Sequence, residues 1–134
     1  MAERQLISPS SPFEPVYGYS RAVRVGNVVH VAGTVAWGDP PNDSELIGAG
    51  DMYVQAKQAI RNIESALKKA GSSLRDVVRT RAFITDISIF SELSRAHVEA
   101  FGEIRPAATV VEVSRLATPE MLVEIEADAI IGSG

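Results

Sequence analysis

Apolar and polar residues alternate most cleanly close to the C-terminus. From Leu122 to Ile131, one face carries Val123, Ile125, Ala127, Ala129 and Ile131. The other carries Glu124, Glu126 and Asp128, with Leu122 and Ile130 at its ends. A period of two predicts a half-buried strand. Thr109 to Leu116 predicts a strand just before it, and the two read as a neighbouring pair entered at Pro106. Asp51 to Ala70 has a different rhythm. Met52, Ala56, Ala59, Ile60, Ile63, Ala66, Leu67 and Ala70 recur at intervals of three and four, which predicts an amphipathic helix. Asp51 suits its N-cap or first turn, Lys68 and Lys69 its last turn, and Gly71 its stop. Gln55, Gln58, Arg61, Asn62 and Ser65 fall on its polar face, so the helix is expected to cover one side of a sheet.

Arg21 to Val25 and Val28 to Ala32 predict a hairpin joined at Gly26-Asn27, two residues that tolerate positive φ. Gly33 follows at the strand end, where a missing side chain lets another group approach the backbone. Val77 to Ile87 predicts a further strand, with Val78, Thr80, Ala82 and Ile84 facing one way and Val77, Arg79, Arg81 and Phe83 the other. Arg79 and Arg81 are candidate partners for the carboxylates of the last strand. Phe90 to Ile104 predicts a second helix through Leu93, Ala96, His97, Ala100 and Phe101. Residues 1–20 read as an irregular arm with a short strand at Gln5 to Ser8, docked through Phe13, Tyr17 and Tyr19. Trp37 to Gly50 reads as a loop in which Trp37 shields a core edge. The order is hairpin, helix, strand, short helix, strand, strand. It predicts a two-layer α+β fold with helices on one face of a mostly antiparallel sheet. The uncovered face mixes charged and apolar residues, which suits self-association and clefts between subunits.

Composition narrows the function. The 134 residues predict one domain over 1–134, and 46% hydrophobic residues suffice for a core. A net charge of −4 argues against nucleic-acid binding by phosphate neutralisation. Cysteine is absent, which excludes thiolate chemistry and disulfides. No apolar run reaches the ~18 residues that a membrane span needs. Met1 to Gln5 lacks the apolar stretch of a leader, so a cytoplasmic protein is expected. No phosphate-binding glycine loop, nucleophile elbow or metal-ligand spacing occurs. His97 reads as a packed helix histidine. The remaining chemistry is carboxylate, hydroxyl and guanidinium. Glu112, Glu124 and Glu126 are read as lying on neighbouring strands, where a carboxylate could hold or deprotonate a water, or could serve as a solvated, ion-paired strand face.

One constellation goes further. Tyr19-Ser20-Arg21-Ala22-Val23-Arg24-Val25-Gly26-Asn27, Val31-Ala32-Gly33, the helix Ala56 to Gly71, Arg105-Pro106-Ala107, Val111-Glu112-Val113, Leu116 and Val123-Glu124-Ile125-Glu126-Ala127 together resemble the Rid/YjgF/UK family of RidA-like reactive intermediate deaminases. The resemblance spans nearly the whole chain. It implies a chorismate-mutase-like fold with a mixed sheet, a homotrimer closed around a central barrel of sheet, and three clefts between subunits. It implies hydrolysis of an imine or enamine such as 2-aminoacrylate to a keto acid and ammonia, without a cofactor. Tyr19 and Glu124 match the family's catalytic tyrosine and water-holding glutamate. Ala32, Gly33, Ala108, Thr109 and Val110 fall at its substrate-binding positions.

The family's carboxylate-clamping arginine, directly after Pro-Ala, is Ala108 here, so the chain resembles an arginine-lacking branch. Alanine supplies neither charge nor donors. Arg105, Arg21 or a neighbour's Arg115 are the candidate substitutes. Three functions follow from the resemblance: deamination of a small imine or enamine other than 2-aminoacrylate, small-metabolite binding by a non-catalytic trimer, and an endoribonuclease or translation-inhibitor activity. The acidic chain, without basic residues interleaved with aromatics, ranks the last lowest.

Overall fold

The computed structural model describes residues 3–8, 13–38 and 44–134. Pro9, Pro12, Pro40, Pro41, Asn42 and Asp43 of the expected arm and loop lie outside them. The strands are β1 (Arg4–Ile7), β2 (Ala22–Val25), β3 (Val28–Thr34), β4 (Val77–Ile84), β5 (Ala107–Glu112) and β6 (Val123–Ile130). The helices are α1 (Phe13–Tyr17), α2 (Met52–Lys69) and α3 (Phe90–Phe101).

Helix α2 keeps its predicted limits because both ends are chemically marked. The Asp51 carboxylate accepts the Val54 N–H at 3.0 Å. At the other end Gly71 adopts φ +83°. Ser72 N–H returns to the Leu67 carbonyl at 2.8 Å and Gly71 N–H to Lys68 at 3.0 Å, which satisfies carbonyls the helix leaves open.

The six strands run β1-β2-β3-β6-β4-β5. All neighbours are antiparallel except β4 and β5, which are parallel. The expected pairing of the last two strands is therefore overturned: β6 inserts between β3 and β4, and β5 lies on the outer edge. Helix α3 makes the crossover from β4 to β5 that a parallel pair requires. Strand β5 starts two residues earlier and ends four earlier than expected.

Helices α2 and α3 pack together, and α2 lies on β6 and β3. Val29, Val31, Ala82, Ile84, Val123, Ile125, Ala127 and Ala129 form the covered sheet face with the apolar stripe of α2. Two residues depart from the expected alternation of β4. Val77 and Arg79 oppose Ala129 and Asp128, so β4 carries one extra residue between them. That bulge turns Val77 into the core and leaves Val78 37% exposed. On the open face Arg81 donates to Glu126 at 2.8 Å and to Asp128 at 3.5 Å, and His30 Nδ1 lies 2.7 Å from Asp128. The predicted exchange between arginine and the last strand's carboxylates is thus present for Arg81. In the arm, β1 extends the sheet beside β2. Tyr17 does not dock: it is 86% exposed, because α1 turns it outward.

Candidate functional site

Strand β3 does not stop at Ala32. It continues to Thr34 through an irregularity at Ala32 and Gly33. Val31 pairs with Ala127 and Thr34 with Ile125, so three steps of β3 cover two of β6. Bulges of this kind redirect side chains beside clefts. The redirected group here is on the neighbour. A Cβ on Gly33 would press against Glu124 Oε2 and lie 3.0 Å from Glu124 Cδ. Glycine at 33 lets the Glu124 carboxylate lie over the β3 backbone.

Arg21, just ahead of β2, holds this region together and is 7% exposed. Its Nη1 donates to Thr34 Oγ1 at 3.1 Å, and its Nη2 donates to the Gly33 carbonyl at 3.0 Å and to the Tyr19 hydroxyl at 3.4 Å. Its Nε lies 3.9 Å from Glu14 Oε2 but makes no hydrogen bond. Glu14, from α1, is equally buried and also accepts from Ser8 Oγ at 3.2 Å. Phe13 and Trp37 stack at a tilt, 6.1 Å between ring centres. Phe13, Tyr19, Arg21, Gly33 and Trp37 line a cavity of about 50 Å³ together with Val35, Ala117, Met121 and Glu124.

The Glu124 carboxylate takes no hydrogen bond from any described residue. Partial burial raises its pKa above the ordinary carboxylate range; the Arg21 guanidinium pulls it down and neighbouring Glu126 pushes it up. A carboxylate that is half-desolvated and unsatisfied can hold a water and take its proton.

Three residues of α2 position this cavity in a way the sequence reading missed. Gln55, assigned to the polar face, is fully buried. Its amide donates to the Gly48 and Glu120 carbonyls and accepts the Leu122 N–H at 2.9 Å. Gln58 and Asn62 both donate to the Trp37 carbonyl, and Asn62 also to Val35. The signal was the helical spacing of the amides at 55, 58 and 62, a stripe on one side of the helix.

The expected site residues thus fall into two groups. Tyr19, Gly33 and Glu124 meet around the cavity, with Ala32 in the adjoining bulge. Ala108, Thr109 and Val110 do not join them. They lie on edge strand β5, with β4 standing between it and β6. At ~4.8 Å per strand, Ala108 sits roughly 10 Å across the sheet from Glu124. Ala108 and Val110 are in register with Thr80 and Ala82 of the covered face, whereas Glu124 is opposite Phe83 on the open one. Arg105 is exposed at the end of α3, in a separate depression with Arg75, Ala107 and Gly134. Glu112 is on β5, not beside Glu124, and accepts the Ile87 N–H at 2.9 Å. His97 contacts Thr80 Oγ1 at 2.9 Å, and burial lowers its pKa, as fits a packed helix histidine. Among the described residues no three metal-ligating side chains cluster, and no helix is long and apolar enough to cross a membrane.

Comparison with known proteins shows the family. The sequence model of the family described as Endoribonuclease L-PSP matches residues 10–131. The RutC family protein PYRAB12510 of Pyrococcus abyssi is 38% identical over 129 residues, covering 96% of this chain and 98% of the relative. The 3-aminoacrylate deaminase RutC of Acinetobacter baylyi is 31% identical, covering 91% of this chain and 94% of its own. The crystal structure of Rv2704 from Mycobacterium tuberculosis, described as a member of the YjgF/YER057c/UK114 family, superposes with a TM-score of 0.85 at 48% identity, covering 96% of this chain and 100% of that one.

Proposed function

We propose that this chain, which belongs to the Endoribonuclease L-PSP family that includes the YjgF/YER057c/UK114 proteins, hydrolyses a small imine or enamine to a carbonyl compound and ammonia at Glu124. The observation that carries the reading is the Glu124 carboxylate, half-buried over Gly33 and without a hydrogen-bond donor among the described residues. In the step proposed, Glu124 takes a proton from water as the oxygen bonds to the C=N carbon. The same carboxyl passes that proton to nitrogen to give a carbinolamine. It then relays the carbinolamine O–H proton to nitrogen as C=O forms, the C–N bond breaks and ammonia leaves. An enamine enters as its imine tautomer, one N–H proton having moved to carbon. A raised pKa favours both transfers, because the group is a better base than an ordinary carboxylate and a usable acid afterwards. Tyr19, held through Arg21, closes the cleft. The name of the Acinetobacter baylyi relative, 3-aminoacrylate deaminase, supports the reaction class.

The whole chain acts in this reading as one RidA-like domain that forms a homotrimer. A second copy's β5 edge, with Ala108, Thr109 and Val110, completes each cleft, because one chain keeps that edge away from Glu124. The substrate differs from 2-aminoacrylate, since Ala108 offers its carboxylate no cation. The departure at Ala108 also supports a second reading, a trimer that binds a small metabolite without turnover.

The test generates a panel of imines and enamines in situ and follows ammonia release by the full chain and by Glu124→Gln. Turnover of at least one compound, lowered by about 10²-fold or more in the variant, is expected from loss of a general base. Full turnover in Glu124→Gln removes the proposed role, and binding without turnover across the panel favours the second reading. Sedimentation is expected to give a trimer; a monomer would leave Ala108 unable to reach the cleft.

A further inference from the structure

The three amides of α2 reach both walls of the Glu124 cavity. On one wall, Gln55 accepts the Leu122 N–H and donates to the Glu120 carbonyl, both at 2.9 Å, on either side of Met121. Met121 is 2% exposed and lines the cavity. On the other wall, Asn62 Nδ2 donates to the Trp37 carbonyl at 2.7 Å and to the Val35 carbonyl at 3.1 Å. Gln58 Nε2 donates to the same Trp37 carbonyl at 3.1 Å. Val35 and Trp37 both line the cavity. Gln58 also donates to Asn62 Oδ1 at 3.0 Å, one helical turn on, which turns the Asn62 donors toward the wall. A single helix thus sets the spacing between the two walls.

The grip on Trp37 exceeds what satisfying its backbone requires. One donor meets the need of a buried carbonyl, and Trp37 has two. The Val35 carbonyl takes Asn62 although it already accepts the Trp37 N–H at 2.9 Å. Nor do the amides close the segment after β3. Trp37 bridges Leu46, Gly38 N–H reaches the Glu45 carbonyl at 2.9 Å, and Ile47 N–H reaches the Ala36 carbonyl at 2.8 Å. What the amides add is where this segment stands against α2, and with it the Trp37 ring. That ring is the largest side chain of the lining, and its far side meets Phe13 at 6.1 Å between centres. The space left is about 50 Å³. A water occupies ~30 Å³ and a benzene ring needs roughly 150 Å³. A short stem fits beside Glu124, and a ring enters only if Trp37 yields.

We propose that Gln58 and Asn62 are positioning residues that fix Trp37 as the size limit of the Glu124 cavity, which admits a short stem and excludes an aromatic ring. This rests on the reading of that cavity as the ligand cleft and adds what decides which substrates enter it. Neither amide lines the cavity; each acts through the Trp37 backbone.

Propionamide and benzamide, neutral amides that differ in bulk, test it, with binding followed by the amide shifts of Gly33 and Tyr19. The native chain is expected to hold propionamide at least about tenfold more tightly, the cost of forcing extra volume into a packed wall. Asn62→Ala should cut that preference at least about threefold, and Gln58→Ala by less, because Asn62 still holds the carbonyl. Trp37→Ala should abolish it, and adding Asn62→Ala should then change nothing further, the signature of an effect carried by the ring. Emission of Trp37, the only tryptophan of the chain, should shift to the red in Asn62→Ala. Gln58→Ala, which leaves both Asn62 donors in place, carries the test if Asn62→Ala does not fold. Equal binding of the two probes by the native chain, no saturable binding of either, a preference untouched in both single variants, or a second loss when Asn62→Ala joins Trp37→Ala would overturn the proposal. A chain whose size preference follows Trp37 but which turns over no imine keeps this proposal and loses the reaction. One that turns over imines with a preference unmoved by Trp37→Ala keeps the reaction and loses this proposal.

Discussion

The β3–β6 end of the sheet and the β5 edge carry the two halves of one expected site, and they are built differently. Around Glu124, a single chain supplies a bulge, a glycine without which the carboxylate could not lie where it does, and a buried arginine with three hydrogen-bonded neighbours. At β5, five of the six strand residues from 107 to 112 are exposed, and Val110 is half-buried. In the first region the buried Arg21 guanidinium is held where Thr34, Gly33 and Tyr19 accept its N–H groups. The second has no such constraint within one chain. Its free edge could accept another chain or remain solvated. Chemistry that needs both halves must therefore import one of them, whereas chemistry that needs only Glu124, Tyr19 and the cavity does not.

The sharpest way to break this contrast is to give β5 its missing cation. Ala108→Arg, assayed with 2-aminoacrylate generated in situ, is expected to raise ammonia release at least about tenfold over a low native rate, since a clamped carboxylate is worth ~2–5 kcal/mol when its partner is otherwise lost. The position is exposed, so stability should stay within ~0.5 kcal/mol. Native turnover of 2-aminoacrylate equal to that of the variant would mean that Ala108 withholds nothing.

The β3–β6 end yields to a single methyl group. In Gly33→Ala the obstacle is the far end of a flexible side chain, and Gly33 has no positive φ. The fold should lose no more than ~1 kcal/mol while turnover of a responsive imine falls about tenfold, because small displacements of a reacting group are costly. Denaturant melts and turnover on the same sample check the split. Parallel losses of stability and activity would reduce Gly33 to a packing residue.

What the sequence made legible follows the same divide. Period two in β6 and period three to four in α2 report which face is buried, and both were read correctly from Val123 to Ile130 and from Met52 to Lys69. The same periodicity is silent about partners. Nothing in the alternation of residues 109–116 says whether they pair with β6 or cross over α3 to β4, so Glu112 was set beside Glu124 when it belongs two strands away. Local insertions are equally hidden: one extra residue in β4 moves Val77 into the core, and one in β3 carries the strand past Gly33. Gln55 reads as surface because its side chain is polar. It is buried because three backbone groups of distant loops need an amide. Arg21 was named only as one candidate cation among three, since its buried role depends on α1, β3 and Tyr19 meeting in space.

A smaller effect concerns pH. Burial, against the pull of Arg21, holds the Glu124 carboxyl above its ordinary range. The native protein thus binds that proton more tightly than the unfolded chain does. The associated stability is full below the unfolded carboxylate value of about 4.3 and is lost as pH rises through the higher native value. At neutral pH the ionised group is a burden, so Glu124→Gln should melt slightly above the native chain, with the gap closing toward about pH 4. Thermal melts across that range check it. A variant that melts lower at neutral pH would show that attraction to Arg21 outweighs desolvation.

The smallest expected effect returns to the β5 side. Arg105 is the one non-glycine described with positive φ, at 58°. It sits where α3 gives way to Pro106, with its N–H on the Phe101 carbonyl at 2.8 Å. An L-residue in that region costs ~1–2 kcal/mol, which glycine avoids. Glycine also loosens the unfolded chain, returning ~0.4–1 kcal/mol of the gain. Arg105→Gly should therefore leave stability unchanged or raise it by up to ~1 kcal/mol. Turnover should not change, because Arg105 lies in a depression apart from the Glu124 cavity. If stability holds and turnover falls, the guanidinium does reach a cleft after all, from another copy, and the β5 edge carries its cation at 105 rather than at 108.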